Sequence, residues 1–318
     1  MVDDAGAVAA LDCGTNSTRL LIVDERGVVL DRQMRITRLG EAVDATHKLS
    51  ADAIARTVAV LEDYQRTMDA YGVVRARLVA TSAARDAVNA DEFFAAAERA
   101  TGVRPELLSG LEEGRLSFTG ATASLPVHGR GTGVVLVVDI GGGSTELAAG
   151  VPRTRSDGAQ STPEVAAVSL DIGCVRLTER FFHHDPPLES ELADARNVVD
   201  AEVARARAVL PPMTSGGILI GLAGTVSTLA ALDLGLPRYE RSRIHHAVLT
   251  RDKVDAWLEH LATEDRRARL ARPGMVEGRA DVIVGGVAVL AAVMAGFGYS
   301  RCLVSEDDIL DGLVASIR

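Results

Sequence analysis

Six Phe, four Tyr and one Trp are all the aromatic side chains in a chain of 318 residues. That is too few for the stacked platforms on which single-stranded nucleic acids are commonly held. Positive charge is also short, since 34 Lys and Arg against 44 Asp and Glu leave a formal net charge of −10, whereas a surface that follows a phosphate backbone is normally basic. No nucleic-acid partner is therefore expected. A polyanion can still bind at a local site, because exposed charges more than about 8 Å away are largely screened at physiological salt.

Cysteine is confined to Cys13, Cys174 and Cys302, far apart, odd in number and without a CxxC pair. This excludes the usual zinc and dithiol motifs, and the three are expected to be reduced and buried. Met1–Ala10 holds Asp3 and Asp4 and no basic region leading into a long apolar stretch. No secretory leader is read there, and the cytoplasm is the expected compartment. Long apolar runs are almost absent. The exception is Val282–Tyr299, uncharged and about the length of the shortest membrane spans. It is rich in Ala and Gly, abuts Asp281 and has no second run to pair with, so it is expected to be a buried core helix and no membrane partner is expected.

What the chain does have is apolar residues, 47% of the total, enough to fill the cores of two domains of ordinary size. It also carries an internal echo. Ala9–Leu20 (AALDCGTNSTRL) aligns without a gap on Leu136–Leu147 (LVVDIGGGSTEL). Each copy reads as an apolar strand, an acid, a Gly-bearing turn with hydroxyls and a second strand, Thr18–Val23 or Thr145–Ala149. Such a pattern makes a β-hairpin. Helical patterns follow at Ala51–Tyr71 and Glu189–Leu210, with strand-like runs at Arg77–Ala80 and Ile218–Leu222, which places the chain in the α/β class. Gly129–Gly133 is the expected domain boundary, and Thr154–Glu164 and Pro211–Gly217 read as surface loops.

Glycines in such a turn let successive backbone N–H groups approach an anion. Gly14, Thr15, Asn16 and Ser17 in the first turn, and Gly141, Gly142, Gly143, Ser144 and Thr145 in the second, are the candidate phosphate contacts. Asp12 and Asp139 stand ahead of the turns, placed to hold a cation near the anion. The duplication implies two hairpins facing each other across a cleft, with a phosphate chain and Mg²⁺ between them. Arg19 falls opposite Glu146 in the alignment and is expected to bind phosphate, as is Arg85; Arg272 and Arg279 are weaker candidates for the distal chain. His183-His184 and His245-His246 lack the i, i+4 spacing of a helical metal site and are expected in solvated or loop positions.

Taken in order, Asp12–Ser17, Thr81–Asp86, Ser109–Glu113, Asp139–Glu146, Gly173–Arg180 (GCVRLTER), Gly221–Thr225 and Arg279–Ile283 resemble the successive motifs of the exopolyphosphatase and guanosine pentaphosphate phosphohydrolase family. The resemblance covers nearly the whole chain. It implies the actin and sugar-kinase fold, two duplicated ribonuclease-H-like α/β domains around a cleft. Residues 1–125 with about 304–318 would form the first domain and 126–303 the second, with a last helix at Ser305–Ile317. By the same resemblance Glu113 is the carboxylate that activates water, and Asp139 and Glu146 organise metal and nucleophile, with Asp12 beside them. The implied activity is release of terminal orthophosphate from inorganic polyphosphate with Mg²⁺, or Mn²⁺ in its place.

Guanosine pentaphosphate is the alternative substrate. An ATP-dependent phosphotransferase, with Gly221–Thr225 on adenosine, and a non-catalytic sensor of guanosine polyphosphates are the remaining readings, and a homodimer is compatible with the resemblance. Two residues depart from the family pattern. Cys13 replaces an aliphatic residue, and Gly114 replaces an Ala, which would loosen the turn carrying Glu113. Longer members carry extra C-terminal domains, so processive action on long chains is not expected of a chain ending at Arg318.

Overall fold

A computed structural model describes residues 6–125, 133–152, 165–212 and 217–317. The expected boundary at Gly129–Gly133 and the loop at Thr154–Glu164 fall almost wholly outside these residues, as does the middle of Pro211–Gly217.

The strands among the described residues are β1 (Ala7–Cys13), β2 (Ser17–Val23), β3 (Val29–Ile36), β4 (Val73–Ala80), β5 (Glu106–Leu107), β6 (Val135–Ile140), β7 (Thr145–Gly150), β8 (Ala166–Leu170), β9 (Ile218–Leu222), β10 (Val248–Thr250) and β11 (Arg301–Val304). They form two sheets, ordered β3-β2-β1-β4-β5 and β10-β11-β9-β6-β7-β8. Both are built alike. An antiparallel hairpin, β1-β2 or β6-β7, is extended on one side by a third antiparallel strand and on the other by two parallel strands, to which the second sheet adds the antiparallel edge strand β10. Register repeats as well: Asp12 pairs with Arg19 in the first hairpin and Asp139 with Glu146 in the second. The sequence echo is thus a structural duplication. β1, β6 and β7 are buried along their whole length, which is why their apolar residues run consecutively rather than alternating, broken only by Asp12, Asp139 and the Thr145-Glu146 pair at the loop ends.

Helices cover the sheets. Ala51–Ala70 and Ala90–Thr101 pack together and close one face of the first sheet. Glu189–Val209, Ala223–Asp233 and Ile283–Phe297 share the large core over the second. The apolar run at Val282–Tyr299 is that last helix, buried on nearly all sides. Gly285 packs tightly on the Cys174 carbonyl, and Gly286 lies so near Thr225 that a Cβ there would displace it. Among the described residues no helix is long and apolar enough to cross a membrane. Burying a Val, Leu or Ile contributes about 1.5–3 kcal/mol apiece, so this helix is a main stabiliser of its half.

Two helices meet between the sheets. Gly110–Ala123 lays Phe118, Ala121 and the following Leu125 on the second sheet. The C-terminal helix, Ile309–Ile317, lays Ile309, Leu310, Leu313 and Val314 on the first. They cross at Gly120 and Gly312, where a Cβ would overlap the Asp308 and Leu116 carbonyl oxygens respectively. The C-terminal helix begins four residues later than the Ser305 expected from sequence, because Ser305–Asp308 form a turn: Ser305 Oγ accepts from the Asp307 N–H, and Asp308 Oδ1 accepts from the Leu310 N–H.

Candidate active site

The two hairpin loops touch. Gly142 lies so near Thr15, and Gly143 so near Ser82, that neither tolerates a Cβ without displacement. Between the loops and the Ala223–Asp233 helix lies a cavity of about 600 Å³, lined by Asp12, Gly14, Thr15, Asn16, Ser17, Arg19, Glu113, Asp139, Gly141, Gly142, Gly143, Ser144 and Arg279, among others. Most of the residues singled out in sequence therefore converge on one space.

Backbone geometry explains how the second loop addresses it. The carbonyls of Gly141 and Gly142 accept from the N–H groups of Cys174, Val175 and Arg176, and the Gly143 carbonyl accepts from Arg176 Nε at 2.6 Å. In a planar trans peptide the N–H points opposite to its C=O, so the N–H groups of Gly142, Gly143 and Ser144 are turned away from Arg176 and its helix. None of the three donates to another group among the described residues. In the first loop, the Thr15 and Asn16 carbonyls are likewise occupied, by the N–H groups of Gly40, Thr37 and Arg38.

Glu113 stands in the first turn of the Gly110–Ala123 helix, not in a turn as the sequence suggested. Ser109 caps this helix, its Oγ accepting from the Glu112 N–H while the Glu112 carboxylate accepts from the Ser109 N–H at 2.9 Å. Such a box is typically worth about 1 kcal/mol and fixes the two neighbouring acids in different environments. Glu112 serves the cap at the surface; Glu113 is 9% exposed at the cavity wall. Burial pushes Glu113 up and the Arg85 guanidinium pulls it down, leaving it at about 7. Gly114, expected in the same turn, is instead a buried helical position against Ala167, Glu146 and Ala148.

The other acids are each held by a side chain. Ser117 Oγ donates to Asp139 at 2.6 Å, and burial leaves Asp139 at about 6 despite Arg19 and Ser117. Ser169 Oγ donates to Glu146 Oε1 at 2.7 Å. Burial raises Glu146 well above the usual range, and the charges of Glu113 and Asp139 add to that. Glu146 is buried behind the lining, 1% exposed, and does not open on the cavity. Asp12 is raised by burial, with Arg19 opposing. Oδ1 of Asp12 and Oε2 of Glu146 are buried with no hydrogen-bond partner, as oxygens awaiting a cation or water would be. Among the described residues no three His, Cys, Asp or Glu side chains are grouped as a metal cage, so Asp12, Asp139 and Glu146 do not form a closed ligand set.

The cations divide. Arg19, expected to bind phosphate, is held by Asp12 through Nε and Nη2 at 2.9 and 2.6 Å and by Asp308 through Nη1. Arg85, expected likewise, reaches Glu113 at 2.8 Å and Ser144 Oγ at 3.4 Å and is not part of the cavity lining. Arg272 faces elsewhere, paired with Glu264 and stacked on Trp257. Arg279 is buried, lines the cavity over Gly224, and makes no side-chain hydrogen bond or ion pair among the described residues. Thr145 is a correction: wholly buried, its hydroxyl donates to the Ile172 carbonyl rather than into the cavity, because it lies within β7 with its side chain on the covered face. His183 and His184 are exposed, but His245 and His246 are half-buried and stacked, His245 Nδ1 accepting from the Glu306 N–H.

Sequence reasoning missed Ser117, Ser169 and the Glu306–Asp308 turn. Lone serines carry no signal, but the acid run after β11 did. The three cysteines are buried as expected.

With this geometry in place, comparison with known proteins adds independent findings. The model of the Ppx/GppA phosphatase family matches residues 21–317. The chain is 40% identical to "Exopolyphosphatase 2" of Mycobacterium tuberculosis, over 98% of both proteins. Among solved structures, an exopolyphosphatase-like protein superposes with a TM-score of 0.87 at 34% identity, covering 98% of each chain. The Aquifex aeolicus family member gives 0.79 at 32%, covering 98% and 97%. The architecture is the actin-like one that the sequence resemblance implied.

Proposed function

Because the chain belongs to the Ppx/GppA phosphatase family, we propose that it is an exopolyphosphatase, releasing orthophosphate from the end of inorganic polyphosphate by attack of water. The observation that carries this reading is the position of Glu113, a buried carboxylate at about 7 on the wall of a cavity shared with both loops. A base is most effective when its pKa lies near the working pH.

In this reading the terminal phosphoryl group rests on the free N–H groups of Gly142, Gly143 and Ser144. A water between Glu113 and the phosphorus gives its proton to the carboxylate as its oxygen bonds to phosphorus, the bridging P–O bond breaks, and the shortened chain leaves as an oxyanion. Arg85 favours the ionised form of Glu113 that this requires. Phosphoryl transfer depends chiefly on positioning and on positive charge around the transferred group, and aligned backbone N–H groups supply part of that charge at no reorganisation cost. A divalent ion, Mg²⁺ or Mn²⁺, would be held by Asp12 and Asp139 with Glu146 behind them, and would supply charge neutralisation on the non-bridging oxygens. The unpartnered oxygens of Asp12 and Glu146 fit such an ion, and Mg²⁺ needs only one or two protein carboxylates when phosphate and water complete its shell.

Guanosine pentaphosphate presents the same phosphate end, and the cavity continues past the loops to Met34, Tyr239 and Val276, which leaves room for a nucleoside. Phosphate release with Mg²⁺ from polyphosphates of several lengths, guanosine pentaphosphate and ATP tests the proposal. Release from polyphosphate is expected. Release from guanosine pentaphosphate alone supports the second reading, and release from none of them, with tight binding of a guanosine polyphosphate, would mark a sensor.

A further inference from the structure

The geometry points to Arg176 as a positioning residue that sets the direction of the second loop's N–H groups and locks that loop to the opposite half of the molecule; this rests on the reading above, in which those groups bind phosphate. Arg176 belongs to the Cys174–Phe181 helix, within the Gly173–Arg180 motif, none of whose residues was given a role from sequence. It is largely buried, with its side chain 12% exposed, and every nitrogen of its guanidinium has a partner. Nε donates to the Gly143 carbonyl at 2.6 Å, Nη1 to Asp44 at 2.6 Å, and Nη2 to Asp86 and, at 3.4 Å, to Ser82 Oγ.

These partners lie on both sides of the cleft. Gly143 is in the β6-β7 loop; Asp44, Ser82 and Asp86 belong to short helices beside the first sheet. Holding the Gly143 carbonyl fixes the Gly143–Ser144 peptide plane and so directs the Ser144 N–H away from Arg176. The same guanidinium carries that orientation across to Ser82, against which Gly143 already packs. Neighbouring contacts bridge the same line: Arg180 pairs with Asp44 at 2.7 Å, and Glu179 accepts from the Ala42 N–H at 3.1 Å. Only a planar fork can hold a carbonyl and two carboxylates at once, which a lysine ammonium on one stem cannot reproduce.

Orientation of donors matters most where charge develops, so the loss should fall on kcat rather than KM. The experiment compares wild-type, Arg176→Gln, Arg176→Lys and the double variant Asp44→Asn/Asp86→Asn, with tripolyphosphate and Mg²⁺ as the probe. Thermal unfolding shows that each is folded, and amide hydrogen exchange over 173–177 is followed without substrate. Arg176→Gln is expected to lower kcat by about 10²-fold, the scale of losing an oriented donor, with KM moving less than about threefold. Arg176→Lys should recover little of this, and the double variant, which keeps the Gly143 contact, should lose about tenfold. Exchange at Cys174–Arg176, whose N–H groups bind the loop carbonyls, should quicken in Arg176→Gln.

Full kcat in Arg176→Gln, recovery to wild-type by Lys, or unchanged exchange would overturn the assignment. If the variant fails to fold, the double variant decides, and wild-type kcat there overturns the cross-cleft lock. Wild-type protein that releases no phosphate while Arg176→Gln still quickens exchange would refute the phosphatase reading and leave the clamp standing.

Discussion

The Glu113 carboxylate lies 2.8 Å from the guanidinium of Arg85. Arg85 also approaches Ser144 and, at 4.0 Å, Glu146, so one cation links the proposed base to the second loop and to the strand that follows it. Burial alone would leave Glu113 protonated at neutral pH, and burial against a strong ion pair settles it near 7.

Replacing Glu113 by Gln preserves size and removes the proton acceptor. With tripolyphosphate and Mg²⁺, kcat should fall about 10²–10⁴-fold with little change in KM. Glu112→Gln should cost less than about tenfold in kcat and leave stability nearly unchanged, because a Gln amide oxygen can still accept from the Ser109 N–H and keep the box. Steady-state kinetics and urea unfolding of the two variants check this; equal kcat losses would mean that the acids are not divided as the helix start divides them.

Ser117 holds Asp139 in place. Ser117→Ala should raise the Mg²⁺ concentration for half-maximal activity by about 10–100-fold, the usual cost of losing a group that orients a metal ligand. A Mg²⁺ titration of phosphate release decides, and an unchanged midpoint would remove Asp139 from the metal site.

The duplication was legible because both hairpins keep the same spacing of acid, glycine turn and second strand, and the register Asp12–Arg19 against Asp139–Glu146 repeats it in three dimensions. Glu113 was reached through its motif. What stayed hidden was which cations would be spoken for. Nothing in the sequence shows that Asp308, 289 residues after Arg19, returns to meet it, although Arg19 still lines the cavity. Thr145 failed for a local reason, since one residue along a strand reverses the face. The packing of Gly110–Ala123 on the second sheet likewise depends on contacts between segments far apart in sequence, and where one domain ends and the other begins is best proposed at the crossing of that helix with Ile309–Ile317.

Acids with raised pKa values destabilise the fold as pH rises, because the folded form must release protons that the unfolded form has already lost. Glu113 at about 7 and Asp139 at about 6 stand above their ordinary 4.5 and 3.8. Their contribution is therefore complete below about pH 4 and is lost progressively up to about pH 7. Without metal, thermal stability should fall between pH 5 and pH 8, and Mg²⁺ should restore it more at pH 8, where the carboxylates are ionised. Scanning calorimetry with and without Mg²⁺ checks both signs, and stability rising over that interval would contradict them.

The helix crossing leaves no room for a side chain at Gly312, where a Cβ would overlap the Leu116 carbonyl. Gly312→Ala should destabilise by at least about 1–3 kcal/mol, the usual cost of overpacking, despite the better helix propensity of Ala. Denaturant midpoints at constant slope measure it, and a stabilised variant would show that the two helices can part.

The most direct test of the central claim is to run the reaction on polyphosphate in ¹⁸O-labelled water with Mg²⁺ and find where the label goes. Attack of water on the terminal phosphorus predicts a single solvent oxygen in each orthophosphate released and none in the remaining chain, with release strongly reduced in Glu113→Gln. Label at the new end of the shortened chain, or release that does not depend on Glu113, would contradict the account.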